Sequence, residues 1–190
     1  EEKLFVRREN LIDFKKLLDK KSVKQIYHPR IIKSLYFDNI NLDMYTDSKE
    51  GLTPRKKIRI RTYPKEEDKK IYLEVKNSSV EGRFKTREIL DKNEFNQKKT
   101  SGILDNQYGL CFPKLYVSYK REYSIINDVR ISIDNEIKYQ DYKTNITFTD
   151  DNIIVELKTS INKNLDPNQL YKLDIPLFSK ILCNNFGVNN

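Results

Sequence analysis

The chain has 190 residues, 37% of them hydrophobic and 34% charged, with a formal net charge of +8. That length suits one domain, and 12 tyrosines and 9 phenylalanines supply enough apolar surface for a core, which excludes a disordered chain. The basic excess calls for an anionic partner such as nucleic acid, phosphate compounds or an acidic membrane.

One histidine, His28, and two distant cysteines, Cys111 and Cys183, with no CxxC pair, exclude the usual structural zinc patterns and speak against a disulfide scaffold. A reducing cytoplasm is the expected setting. No run approaches the ~18 apolar residues of a membrane span, and no signal-peptide pattern is present. The start at Glu1 rather than a methionine reads as a fragment or processed chain, leaving a membrane segment or partner domain to lie outside it.

Residues 1–7 read as a strand. Residues 8–20 read as an amphipathic helix, with Leu11, Phe14, Leu17 and Leu18 at helical spacing. His28-Pro29 predicts a break, followed by a strand at 31–38 and a loop at 39–53 holding at most one helical turn. Strands at about 56–63, 70–76 and 83–90 follow, and the short turns between them imply antiparallel pairing. Helical turns are expected around 93–99 and a loop at Ser101-Gly102. Strands resume at about 114–123 and 128–134, with a tight turn at Asn127-Asp128, then a short strand at 145–149 and another at 152–158. Asp166-Pro167 marks a helix start, and 175–185 reads as the last helix. With no repeat or linker, the expectation is a single β-rich domain over 1–190 with a few helices outside.

The segment Arg55 to Tyr63 carries Arg55, Lys57, Arg59 and Arg61 at alternate positions, with Ile58 and Ile60 between the last three. Residues two apart share a strand face, so four cations point one way and the isoleucines the other. The alternation recurs at Glu74/Lys76 against Leu73/Val75, at Lys85/Arg87, at Tyr119/Arg121, at Arg130/Ser132/Asp134 against Val129/Ile131/Ile133, and at Glu156/Lys158 against Val155/Leu157. Two arrangements satisfy it. One is an open antiparallel sheet with its apolar face under helices and its charged face in water. The other is a closed barrel with the charged faces turned inward around water, ions or a charged ligand.

Taken in order, these segments resemble the VTC domain, the polyphosphate-polymerase branch of the triphosphate tunnel metalloenzymes, which also include the CYTH proteins. The motifs that carry the resemblance are Glu1-Glu2-Lys3 before a helix, Ser34-Leu35-Tyr36-Phe37-Asp38, the R-x-K-x-R-x-R-x-Y run from Arg55 to Tyr63, Glu74-Val75-Lys76, and Lys85-Thr86-Arg87. They continue with Tyr119-Lys120-Arg121, the strand around Arg130, Glu156-Leu157-Lys158 and Phe178-Ser179-Lys180. Each is weak alone; their order and spacing over nearly the whole chain are specific. The resemblance implies a mainly β (α+β) fold, a closed eight-stranded antiparallel tunnel with a basic lumen and helices outside.

The resemblance further implies that Arg59 and Arg61 grip the terminal phosphates, with Lys3, Lys76, Lys85, Arg121 and Arg130 completing a cage and Tyr119 donating to phosphate. Lys57, Arg87 and Lys158 share the proposed faces, the first two nearer a mouth, and Ser179 and Lys180 are available in the closing motif, where Pro176-Leu177 replaces an additional basic residue. Glu156 is the expected ligand for Mn²⁺ or Mg²⁺ and Glu74 a second candidate, while Glu1 and Asp134 stay ambiguous. His28 is read as a structural loop residue, and Tyr36 and Phe37 as packing residues. The expected partners are ATP and polyphosphate or triphosphate, without nucleic acid, since no aromatic-rich RNA signature is evident. Transfer of the γ-phosphoryl group of ATP to polyphosphate is the first expectation. A triphosphatase or polyphosphatase, and a module that only binds polyphosphate, use the same residues and stay open.

Overall fold

The computed structural model describes residues 2–20, 23–126 and 129–158. In chain order the elements are β1 (Glu2–Arg7), a 3-10 turn (Arg8–Asn10), α1 (Leu11–Lys20), β2 (Lys24–Asp38), α2 (Asp43–Glu50), β3 (Arg55–Thr62), β4 (Ile71–Ser79) and β5 (Gly82–Leu90). They continue with α3 (Lys92–Ser101), β6 (Ile103–Asp105), β7 (Gly109–Ile126), β8 (Val129–Asp141), β9 (Thr147–Asp150) and β10 (Asn152–Lys158). The architecture is therefore mainly antiparallel sheet with three α-helices among the described residues. Hydrogen bonding orders the strands β1-β10-β8-β7-β2-β3-β4-β5, with β6 beside β7 and β9 beside β8. Eight strands form the main path, as expected; β1 and β5 end it, so pairing among the described residues does not close the ring.

Tertiary contacts group the described residues into two compact units, one of residues 2–20, 23–29, 120–126, 129–137 and 150–158 and one of residues 30–119 and 138–149. In the first unit, β10 lies antiparallel between β1 and β8, with Leu4 opposite Val155 and Val155 opposite Ile133. This register gathers Val6, Val155, Leu157, Ile131 and Ile133 on one face, where Phe14 of α1 joins them and Leu11 and Leu18 pack at the margin. The 11, 14, 18 spacing puts those three side chains on one helical stripe, so α1 covers the apolar face and leaves the other for Lys3, Glu156 and their neighbours.

The second unit repeats the division of faces. Strands β2, β3, β4 and β5 pair antiparallel in sequence order. Leu35, Phe37, Ile58 and Ile60 are buried with Met44 of α2, Leu90, Tyr108 and Cys111, and Leu73, Val75 and Phe95 of α3 pack against them. Two carboxylates start the helices. Asp38, 5% exposed, accepts the backbone N–H groups of Asn39, Met44 and Tyr45 at 2.8–3.0 Å. Asp91 accepts from the Glu94 N–H while the Glu94 carboxylate accepts from the Asp91 N–H, both at 2.8 Å, a capping box.

Three differences from the sequence reading have physical reasons. The break expected at His28-Pro29 does not occur: β2 begins at Lys24 and runs through both. Proline's fixed φ is compatible with extended backbone where its missing N–H is not needed, and residues 24–29 are all exposed. Where at most one turn was expected in 39–53, α2 is an eight-residue helix, because Asp38 satisfies its first N–H groups from the preceding strand. Strands β7 and β8 also extend beyond the ranges expected, to Gly109–Ile126 and Val129–Asp141. The turn Asn127-Asp128, the helix start at Asp166-Pro167 and the helix over 175–185 lie outside the described residues.

Replacing Asp38 by Ala removes the acceptor of the Asn39 N–H and of the Met44 and Tyr45 N–H groups in the first turn of α2. Losing such a cap is expected to cost about 2 kcal/mol or more, read as a lower urea midpoint with an unchanged slope; a midpoint equal to that of the parent would refute the capping role.

Candidate anion-binding face

On β3 the alternation read from the sequence is realised. Ile58 and Ile60 are buried in the core, and the cations take the opposite face. The register then decides their neighbours. Arg61 stands opposite Ser34 and Arg59 opposite Tyr36 on β2, while on β4 Arg59 faces Glu74 and Lys57 faces Lys76. One strand further, Glu74 faces Arg87 and Lys76 faces Lys85. Three lysines, 57, 76 and 85, thus sit directly across from one another on adjacent strands, an arrangement of like charges that destabilises a sheet by itself.

Glu74 is the counterweight. It is 2% exposed, and cations surround both of its oxygens. Its Oε2 accepts from Arg59 Nε at 2.9 Å, with Arg59 Nη2 at 2.8 Å and Arg61 Nη1 at 3.7 Å. Its Oε1 accepts from Lys85 Nζ at 2.6 Å, with Arg87 Nε at 3.5 Å. Burial alone would raise the Glu74 carboxyl, but the Lys85 hydrogen bond and the charges of Arg59 and Arg61 outweigh it and hold the group below the ordinary carboxylate range.

The remaining arginine nitrogens are also held. Arg59 Nη1 donates to the Tyr36 hydroxyl at 2.9 Å. Burial would push the Tyr36 phenol up, yet the neighbouring Arg59 charge and hydrogen bond bring it below its ordinary value. The same pairing favours the charged guanidinium and raises Arg59 against the effect of its burial. Arg61, 7% exposed, donates from Nε to Ser34 Oγ and from Nη2 to the Tyr119 hydroxyl, both at 3.1 Å. Arg87 lies over the Tyr72 ring at 3.5 Å. Guanidiniums fixed this way lose little freedom when a phosphate arrives. Arg55 is turned elsewhere, donating to the carbonyls of Gly51 and Leu52 and so closing the loop after α2.

In the first unit, Lys3 is opposite Glu156, Glu156 is opposite Ser132, and Lys158 is opposite Arg130. Glu156, 8% exposed, has Lys158 Nζ 2.5 Å from Oε1 and Lys3 Nζ 4.0 Å from Oε2. Asp134 pairs with Arg121 through two hydrogen bonds of 2.5 and 2.6 Å, and Arg130 is exposed. Ser179 and Lys180 lie outside the described residues.

The second unit therefore brings together Lys57, Arg59, Arg61, Lys76, Lys85 and Arg87, with Tyr119 bonded to Arg61. The first unit holds Lys3, Arg121, Arg130, Glu156 and Lys158. Sequence reasoning missed Tyr36, treated as packing, and passed over Ser34 and Tyr72 on the charged face. The signal was present at β2: in Ser34-Leu35-Tyr36-Phe37, Leu35 and Phe37 are buried, which leaves Ser34 and Tyr36 for the other face.

No group of three or more His, Cys, Asp and Glu that could hold a metal occurs among the described residues. Glu74 does not fit a cation, since a metal there would sit among four guanidinium or ammonium groups. Glu156 fits better, because the cations beside it are the ammonium groups of Lys158 and Lys3, on flexible stems, and not fixed guanidiniums.

The fold resembles solved structures at low identity. A protein from Bacillus halodurans, provisionally assigned as an adenylate cyclase, superposes with a TM-score of 0.61 at 14% identity, covering 94% of this chain and 88% of that one. A Hippeastrum protein, provisionally assigned as an adenylyl cyclase and described as having a dominant triphosphatase activity, gives 0.50 at 14% identity, covering 94% and 86%. A conserved hypothetical protein of Pyrococcus furiosus gives 0.51 at 14% identity, covering 94% and 89%. No curated protein matches the sequence. The family profile of the VTC domain matches residues 1–176, a span that contains the whole cationic face and both candidate carboxylates, and the chain belongs to the VTC domain family.

Proposed function

We propose that this protein is a polyphosphate polymerase. A terminal oxygen of a polyphosphate chain attacks the γ-phosphorus of ATP, the bond to the β-phosphate oxygen breaks, and ADP leaves. The observation that carries the reading is the charge balance of one face. Lys57, Arg59, Arg61, Lys76, Arg83, Lys85 and Arg87 share it on β3, β4 and β5 by register, and Glu74 is its one carboxylate on those strands. Such an excess needs an anion with closely spaced charges, which polyphosphate and triphosphate supply.

Phosphoryl transfer asks little covalent chemistry of a protein and much positioning. Arg59 and Arg61 are assigned to the terminal phosphates, where a planar fork can contact two oxygens at once. Lys57, Lys76, Lys85 and Arg87 follow the chain as point charges and forks, and Tyr119 is assigned a phosphate hydrogen bond. Lys3, Arg121, Arg130 and Lys158 are the first unit's candidates for phosphate, and Ser179 and Lys180 are carried as further candidates from the family motif. Glu156 would hold Mn²⁺ or Mg²⁺, an ion that keeps several waters and takes phosphate oxygens beside one or two carboxylates. When bound, the ion neutralises charge developing on the transferred group. Glu74 is assigned to anchor Arg59 and Lys85. The reaction is placed in the cytoplasm; no helix among the described residues is long and apolar enough to cross a membrane. Hydrolysis, with water in place of the chain, is the second reading, kept by the fold shared with the Hippeastrum protein described as a triphosphatase.

Incubated with ATP and Mn²⁺, the protein is expected to make polyphosphate resolvable on a gel; phosphate release without polymer would select the hydrolase. Arg59→Ala combined with Arg61→Ala should lower turnover on the order of a thousandfold, with the far-ultraviolet circular dichroism retained. Turnover equal to the parent's would remove the central assignment.

Glu156→Gln should shift the Mn²⁺ titration to higher concentration, and an unmoved titration would withdraw Glu156 as the ligand.

Glu74→Gln leaves four cations around a neutral amide and should destabilise the protein by about 3 kcal/mol, with added tripolyphosphate restoring more stability to the variant than to the parent. Because the folded-state carboxyl of Glu74 lies below its unfolded value, its contribution is complete above about pH 5. It is lost as pH falls through the folded value, so the gap between parent and variant should narrow in acid. A gap independent of pH, or equal rescue of both proteins, would refute the anchor role.

A further inference from the structure

Strand β2 carries no cation between Lys33 and Asp38, yet it touches both central arginines of the charged face. It lies between β3 and β7 in the sheet. Leu35 and Phe37 are buried in the apolar core, which fixes the strand about its axis and sends Ser34 and Tyr36 to the opposite face. Register then sets each of these across from one arginine, Ser34 opposite Arg61 and Tyr36 opposite Arg59. Directly opposed side chains of an antiparallel pair are within contact reach.

The two side chains differ in length and reach different ends of the guanidinium. Ser34 Oγ is short and accepts from Arg61 Nε at 3.1 Å, at the root of the group. The Tyr36 hydroxyl is long and accepts from Arg59 Nη1 at 2.9 Å, at its tip. Arg59 Nε donates to Glu74, and Arg61 Nη2 donates to the Tyr119 hydroxyl. A guanidinium has five N–H groups, two of them on each terminal nitrogen. Even with Arg59 Nη2 at 2.8 Å from Glu74 Oε2, each arginine keeps an N–H on both terminal nitrogens. That pair is the fork with which arginine meets two oxygens of a phosphate.

The chemistry of the acceptor matters as much as its position. A carboxylate on β2 would hold a guanidinium equally well but would offset its charge, as Glu74 already does for Arg59. A neutral hydroxyl fixes the orientation and leaves the charge for an anion. Ser34 is fully buried and Arg61 nearly so, so removing the Ser34 hydroxyl leaves a buried donor unsatisfied and the guanidinium less constrained.

We infer that Ser34 and Tyr36 are positioning residues for phosphate binding, two neutral hydroxyls on β2 that orient Arg61 and Arg59, one each, toward the anion. The inference rests on the phosphoryl-transfer reading and adds that the strand beside the cations sets their aim. Each hydroxyl acts through its own arginine and not on the phosphate, so its effect must vanish once that arginine is gone.

The test titrates inorganic tripolyphosphate calorimetrically into the whole chain, in the parent, in Ser34→Ala and Tyr36→Phe, in Arg59→Ala and Arg61→Ala, and in the four double variants. Each hydroxyl deletion is expected to weaken binding about tenfold, the size of one hydrogen bond to a charged group. Tyr36→Phe should then change nothing, within about twofold, in the Arg59→Ala background, while still weakening binding about tenfold in the Arg61→Ala background. Ser34→Ala should show the reverse pattern. A general folding defect would lower affinity in every background, so losses that add in the matched pairs would overturn the positioning role. Unchanged affinity in both hydroxyl variants, with the arginine variants weakened, would overturn this inference and leave the phosphate face in place. Failure of the parent to bind tripolyphosphate would overturn the phosphate reading and this inference with it.

Discussion

Crowding arginine and lysine onto one face of neighbouring strands is a Coulombic problem, and the buried Glu74 carboxylate is how this fold meets it. Removing a carboxylate from water is costly unless charges and hydrogen bonds replace the lost hydration. Here Arg59 and Lys85 do so directly, with Arg61 and Arg87 close behind. The exchange runs both ways, since the same carboxylate lets the cations approach each other. One negative charge does not balance the face, and the excess is what an incoming polyanion would neutralise. Structure and proposed ligand thereby act on one electrostatic quantity.

The division of faces follows from the strand period and is maintained by what covers the apolar side. In the first unit α1 lays Leu11, Phe14 and Leu18 over the strand core. In the second, Met44 of α2 and Phe95 of α3 serve the same end. The described helices occupy the apolar faces, so none of them covers the charged faces. The helix starts matter here beyond local stability. Asp38 ends β2 two residues after Tyr36 and accepts the Met44 and Tyr45 N–H groups in the first turn of α2, so one carboxylate fixes how the helix leaves the strand.

How much of this could be read in the sequence depended on the range of the interaction. Alternation is local, and Arg59/Ile60 or Glu156/Leu157 announce their faces within five residues. The strands that carry the cations were accordingly legible, as was the amphipathic helix α1. Pairing is not local. Glu74 and Lys85 meet because a hairpin sets the register between β4 and β5, and nothing in either segment alone predicts a 2.6 Å contact. The Arg121–Asp134 pair likewise depends on the strands β7 and β8, where sequence alone left Asp134 ambiguous. The unbroken β2 through Pro29 and the eight-residue α2 were missed because Pro and loop-like composition are weak signals against extended backbone and a cap supplied from a neighbouring strand. Tyr36 was missed for a different reason: a tyrosine beside a phenylalanine looks like core until the alternation with Ser34 is followed.

Two carboxylates with similar motifs, Glu74-Val75-Lys76 and Glu156-Leu157-Lys158, end in different electrostatic surroundings. Both precede a lysine on the same strand face, and both are nearly inaccessible to solvent. At Glu74 guanidinium and ammonium groups contact both oxygens, so bringing a divalent cation there would require displacing at least Arg59 or Lys85 and leaving it without its partner. At Glu156 the contacts are with lysines, one close and one at 4.0 Å. An ammonium on a flexible stem can leave its carboxylate for a phosphate when one arrives, whereas the Arg59 guanidinium between Glu74 and Tyr36 stays in place and can offer a phosphate only its remaining N–H groups. The cations beside each carboxylate, guanidiniums with one lysine at Glu74 and lysines alone at Glu156, are therefore the physical ground for proposing Glu74 as the anchor and Glu156 as the carboxylate for the ion.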